Sequence, residues 1–378
     1  MRKDWEYKKL GEVAFYPNDK ISVDKIGANH YVGVENLLKD KAGILFSDQL
    51  PNAATATCFK YNDILLGNIR PYLKKIWLSN TEGGASGDVI VIRTSSDNIL
   101  PNYLFKLLSS DKFFNYFNLY TKGAKMPRGD KNAIAKFIVP TPPKPTQLAI
   151  VAELDKINEL IQLKKQQLKD YDQLAQSIFY EMFGDPVENE KGWEVKKLGE
   201  VCETSSGGTP SKTHTEYYEN GTIPWLRSGE VSQGYIYDAE IYISELGLNK
   251  SSAKIFPKDT VLIAMYGATV GEVGILCNPM CTNQAICGIL PNDLYNSEFL
   301  RYVLLSHKDK YLSLASGGAQ PNISQQIIKS TLIPFIDKPL QQQFAARIEA
   351  IERQKQQVSE TIKDLETLLA SRMQYWFD

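Results

Sequence analysis

The side chains best suited to chemistry sit in short turns rich in Gly, Arg, Lys, Asn and Gln. In the first half these turns are Gly67-Asn68-Ile69-Arg70-Pro71-Tyr72-Leu73-Lys74-Lys75 and Lys122-Gly123-Ala124-Lys125-Met126-Pro127-Arg128-Gly129. In the second half they are residues 205–212, 224–230, 266–271 and 316–322. Arg and Lys donate to O6 and N7 of guanine, Asn and Gln pair with adenine, and glycine lets backbone amides close on an anion. This is recognition chemistry rather than turnover. The residues expected to contact phosphates and bases are Asn68, Arg70, Lys74, Lys75, Lys125 and Arg128, then Thr209, Ser211, Lys212, Arg227, Tyr266, Thr269, Gln320 and Asn322. Each turn taken singly is a weak signal, since a Gly-Ser turn is more often only a turn.

Signatures of catalysis are missing. The sequence has no Gly-x-x-x-x-Gly-Lys-Ser/Thr phosphate loop, no His-Glu-x-x-His and no Gly-x-Ser-x-Gly elbow. With 3 histidines, acid–base chemistry near neutral pH has few candidates. Cys277, Cys281 and Cys287 invite a metal reading, but a closed zinc site wants four ligands, so buried free thiols are expected and no metal. Charge is balanced, with 43 Lys and Arg against 44 Asp and Glu. That argues against a protein coating nucleic acid by bulk electrostatics, though not against a reader whose cations gather on one face. No apolar run reaches the roughly 18 residues a membrane span needs, and Met1-Arg2-Lys3 opens no secretory segment. The chain is expected in the cytoplasm.

The elements that must position these turns occur twice. Trp5-Glu6-Tyr7-Lys8-Lys9-Leu10-Gly11-Glu12-Val13 recurs 188 residues on as Trp193-Glu194-Val195-Lys196-Lys197-Leu198-Gly199-Glu200-Val201. Lys144-Pro145-Thr146-Gln147 recurs 194 residues on as Lys338-Pro339-Leu340-Gln341. Strands are expected at 63–67 and 259–264, and at 88–93 and 285–290, with helices at 103–109 and 299–306.

After each Lys-Pro-x-Gln the texture turns helical. Leu154, Ile157, Ile161, Lys164, Leu168, Tyr171, Ala175, Ile178 and Met182 alternate three- and four-residue steps, the mark of a coiled-coil seam. Ile348, Ile351, Lys355, Val358, Ile362, Leu365, Leu369, Arg372 and Trp376 repeat it. Each helix should run roughly 33 residues, about 50 Å. The natural partner of each is its own copy, paired antiparallel, with Lys164 and Lys355 fixing register or snorkelling to the edge.

Together these residues resemble the specificity subunit of Type I restriction–modification enzymes. The resemblance rests on the repeated Trp-Glu-x-Lys-Lys-Leu-Gly-Glu-Val, Ser206-Gly207-Gly208-Thr209-Pro210, Ile223-Pro224-Trp225, Ala319-Gln320-Pro321-Asn322-Ile323, Ile333-Pro334 before Gln341, and Phe183-Gly184-Asp185. It implies an α+β fold: two homologous mixed α/β target-recognition domains joined by two long helices in an antiparallel coiled coil, pseudo-two-fold symmetric. The expected domains are 1–144 and 186–338 for recognition, with spacer helices at 145–185 and 339–378. Each recognition domain would read one half of a bipartite double-stranded DNA target, its head about one DNA turn from the other. Two modification (methyltransferase) subunits would supply S-adenosylmethionine chemistry and restriction subunits the ATP- and magnesium-dependent step, with no cofactor in this chain. The first half departs from the pattern: Phe15-Tyr16-Pro17-Asn18-Asp19-Lys20 stands where Ser-Gly-Gly-Thr-Pro is expected. Two other readings stay open, a coiled-coil assembly scaffold without DNA reading and an enzyme with an unrecognised site.

Overall fold

Continuous apolar runs mark strands buried on both faces, and the computed structural model shows why. It describes every residue except positions 1, 3, 96 and 319, so Met1, Lys3 and Ala319 of the motifs above lie outside the described residues. Residues 1–165 with 360–378 form one compact unit, and residues 166–359 form the other.

In the first unit Ala14–Phe15, Val89–Thr94, Ile64–Gly67 and Ile76–Leu78 lie in that order in an antiparallel sheet. Ile64, Leu66, Ile90 and Ile92 face a core built with the helices Pro101–Leu108 and Asp111–Leu119. Leu65, Val89 and Val91 face a second core against Val32, Phe59, Trp77 and Ala85. Strand residues alternate faces, so a sheet covered on both sides reads as an unbroken apolar run. The covering sheet runs Lys20–Ser22, Thr55–Phe59, Gly83–Ala85, Tyr31–Val32, its last pair parallel. The second unit repeats this order with Thr204–Ser206, Ile286–Ile289, Val261–Ala264 and Val273–Leu276, adding Tyr235–Ile236 at the edge. Cys281 and Cys287 pack in its interior, and burial pushes their thiols up to about 11 and about 12.

Within each unit the repeated sequence motifs tie its ends together. Glu6–Lys9 pairs with Ile138–Thr141, and Val195–Lys197 pairs with Leu332–Pro334. Gln147 and Gln341 are fully buried. The Gln147 Oε1 accepts from Leu100 N at 2.9 Å, and its Nε2 donates to Asn98 O and Pro142 O, both at 2.8 Å. Gln341 repeats the clamp on Asn296 N, Leu294 O and Ile336 O at 2.8, 3.1 and 2.7 Å. A buried carboxamide is tolerated when its donors and acceptor are all used.

Each long helix spans 40 residues, Lys144–Phe183 and Lys338–Phe377, longer than the roughly 33 expected. Lys-Pro opens each helix, because proline in the first turn forfeits no intrahelical hydrogen bond. The first helix ends as expected at Gly184, whose φ of 72° suits glycine. Leu154, Ile157, Ile161, Ala175, Ile348, Ile351, Val358 and Ile362 are buried, and Lys164, Leu168, Ile178 and Leu365 half-buried; Leu154 belongs to the first unit's core and Ala175, Ile348 and Ile351 to the second's. In the first unit the two helices run antiparallel. Lys165 pairs with Glu366 at 2.8 Å, and Glu153 accepts from Arg372 and from the Trp376 indole. The Arg372 hydrogen bond holds the Glu153 carboxyl below the usual range. In the second unit Lys355 crosses to Asp172 at 2.7 Å while bonding Glu352 at 2.9 Å. Burial opposes its charge, but these two carboxylates outweigh it and raise its pKa. Among the described residues no helix is long and apolar enough to cross a membrane.

Candidate nucleic-acid interface

One loop pair occurs in both units with the same backbone links. In the first unit the chain leaves the strand Ile64–Gly67 and turns beside the hairpin Thr121–Lys122/Arg128–Gly129. Ile69 bridges Arg128, Arg70 N donates to Pro127 O at 2.9 Å, and Gly129 N donates to Asn68 O at 3.3 Å. In the second unit Tyr266 bridges Asn322, Gly267 N donates to Pro321 O at 2.8 Å, and Ile323 N donates to Met265 O at 2.9 Å. Segments more than fifty residues apart are thus brought together twice, by one pattern.

The first loop pair is cationic. Arg70 is exposed, and its guanidinium meets no hydrogen-bond or ion-pair partner among the described residues. Lys125 is exposed at the hairpin tip. Arg128 is exposed but tied to Asp88, at 3.1 Å from Nε and 3.0 Å from Nη2. Lys74 bonds Asp111 at 2.7 Å, and that bond holds the Asp111 carboxyl low. Two of the expected contact residues are engaged within the unit. Asn68 is buried and its Oδ1 accepts from Gly129 N at 3.1 Å, so it shapes the loop. Lys75 is half-buried, with Nζ donating to Val34 O at 2.7 Å. A residue that sequence reasoning missed is Lys41, 3.8 Å from the same Asp111 carboxylate. Its only sequence signal was the charged triplet Lys39-Asp40-Lys41.

The second-unit loops are nearly neutral. Tyr266, Gln320 and Asn322 are exposed, and the Ser316 hydroxyl donates to Asn322 Oδ1 at 3.2 Å. Thr269 is half-buried and its hydroxyl returns to Tyr266 O at 3.3 Å. These gather at one place; the other candidates do not join them in any described contact. Lys212 and Ser211 are exposed, Ser211 bonding Thr213 at 2.7 Å, and Thr209 bonds Gln284. Arg227 is engaged by Glu240, with Glu230 at 3.7 Å. The Ser-Gly-Gly-Thr-Pro glycines do not cradle an anion. The amide of Gly207 donates to Ile286 O and that of Gly208 to Thr282 O. A Cβ on Gly207 would lie 2.1 Å from Thr282 Oγ1, and one on Gly208 2.3 Å from Ser252 C. Close backbone packing requires these glycines.

A family model described as the Type I restriction modification DNA specificity domain matches residues 2–170 and 190–367. The Type I restriction enzyme MjaIX specificity subunit of Methanocaldococcus jannaschii is 34% identical over 176 residues, 44% of this chain and 40% of that protein. The match therefore spans less than half of that relative. The HindI specificity subunit of Haemophilus influenzae is 24% identical over 397 residues, 83% of this chain and 86% of that one. A solved structure described under complex assembly and conformational transition of the type I R-M system aligns with a TM-score of 0.65 at 23% identity. It covers 100% of this chain and 98% of the other, and at that identity the likeness bears on fold alone.

Proposed function

This chain belongs to the Type I restriction modification DNA specificity family, and on that basis we propose that each unit reads one half of a two-part DNA target. The observation that carries the reading is the loop pair built twice on one backbone pattern with different exposed side chains. A common scaffold with differing tips suits two readers of different sequences, since base edges are distinguished by the side chains that reach them.

The chain acts in the cytoplasm without chemistry of its own. Two modification subunits bring S-adenosylmethionine and methylate the target, and restriction subunits bring the ATP- and magnesium-dependent activity. Single-molecule sequencing of a host expressing the chain with its modification subunits is expected to find methylated adenines in a two-part motif of fixed gap. Methylation independent of this chain would remove the reading.

The paired helices set the gap. Inserting seven residues after Lys165 and seven after Ser359 keeps the heptad phase of both seams. The tolerated spacing between half-sites should lengthen while the bases in each half stay the same. If the gap does not change, the helices are not the ruler.

A further inference from the structure

The two loop pairs share a backbone and differ in chemistry at matching positions. Arg70 matches Gly267, because both amides donate to the equivalent prolyl carbonyls, Pro127 and Pro321. Arg128 matches Asn322 through the equivalent bridges. Lys74 matches Gly271, each preceding the residue whose carbonyl accepts from the last residue of the central strand. Both members of the first match are left-handed, with φ 52° at Arg70 and 75° at Gly267. That backbone suits glycine and strains a larger L-residue. The fold itself is satisfied by glycine there, as the second unit shows. Arginine at position 70 therefore carries a cost that backbone geometry does not demand, and such outliers point to function.

The neighbours of Arg70 sharpen its role. Arg128 is forked onto Asp88 and Lys74 onto Asp111, at distances of 3.0–3.1 and 2.7 Å. Arg70 is left with its donors open to an incoming ligand. A guanidinium matches O6 and N7 of guanine bidentately, whereas carboxamides match N6 and N7 of adenine. In the second unit the matching residues are Gly267, Gly271 and Asn322; Lys308 packs against Gly271 but is bonded to Glu272 at 2.6 Å, and the exposed Gln320 and Asn322 present carboxamides.

We propose that Arg70 reads a guanine in the major groove of the first unit's half-site, and that Gln320 and Asn322 read an adenine at the matching place in the second. The inference rests on the two-part DNA reading above and adds the base class at each loop pair.

The test uses the full chain expressed with its modification subunits and reads the methylated motif by sequencing. Arg70→Gly copies the residue the second unit already holds on this backbone, so the loop keeps its geometry. It should relax one guanine in one half-site, with discrimination there falling roughly tenfold or more, and leave the other half intact. Arg70→Lys keeps the charge but loses the fork. It should relax the same guanine if the base is read. Gln320→Ala with Asn322→Ala should relax an adenine in the opposite half. An unchanged motif in Arg70→Gly overturns the assignment and leaves the two-part reading standing. A wild-type chain that directs no two-part motif overturns that reading and this assignment together.

Discussion

Replacing Phe344 with alanine will destabilise the second unit by about 3–5 kcal/mol, the range for emptying a well-packed aromatic site. Phe344 is fully buried on the second long helix, its ring 5.5 Å from Phe179, 5.4 Å from Phe183 and 5.1 Å from Tyr302. Phe179 and Phe183 come from the first long helix and Tyr302 from the helix Ser297–Ser306, so one side chain holds three elements. Edge-to-face rings add to the burial they provide. Thermal unfolding of the full chain should show the second unit's transition falling by roughly 6–20 °C. Chemical denaturation resolving less than 1 kcal/mol of loss would mean the cluster closes around the cavity, and that this ring is not what ties the helices to the domain.

Gln341→Leu is expected to cost on the order of 3–6 kcal/mol, though leucine nearly preserves the volume. The substitution leaves Asn296 N, Leu294 O and Ile336 O without the partners now at 2.8, 3.1 and 2.7 Å. Each buried group orphaned this way costs roughly 1–3 kcal/mol. Gln147→Leu should cost a similar amount in the first unit, where the same clamp closes on Leu100 N, Asn98 O and Pro142 O. The two clamps share no partner, so the double variant should lose nearly the sum. Equilibrium denaturation of both singles and the double checks this. A near-neutral Gln341→Leu would show that water replaces the amide and that the glutamine is not the weld.

The clamp also shows why the repeated motifs were easy to find and hard to interpret. Lys-Pro-x-Gln could be seen to recur, but the glutamine's partners lie five residues away at one carbonyl and 45 or more away at the others. The opening motif has the same character, its strand pairing with a segment over a hundred residues on. Ser-Gly-Gly-Thr-Pro looked like an anion loop, yet its amides are used by Ile286 O and Thr282 O, acceptors unrelated to it by any local spacing.

The sequence by itself determined the duplication, the positions of the matching strands and the two long helices with their three- and four-residue apolar steps. These follow from periodicity, and the period of a strand or helix is local geometry that residue type records directly. Only the tertiary structure decided which polar residues face outward at the loop pair. Asn68 and Lys75 belong to the same turn as Arg70, yet one is bound by Gly129 N and the other binds Val34 O, while Arg70 stays open. No periodicity distinguishes them, because loop side chains take their direction from long-range partners that packing alone brings within reach.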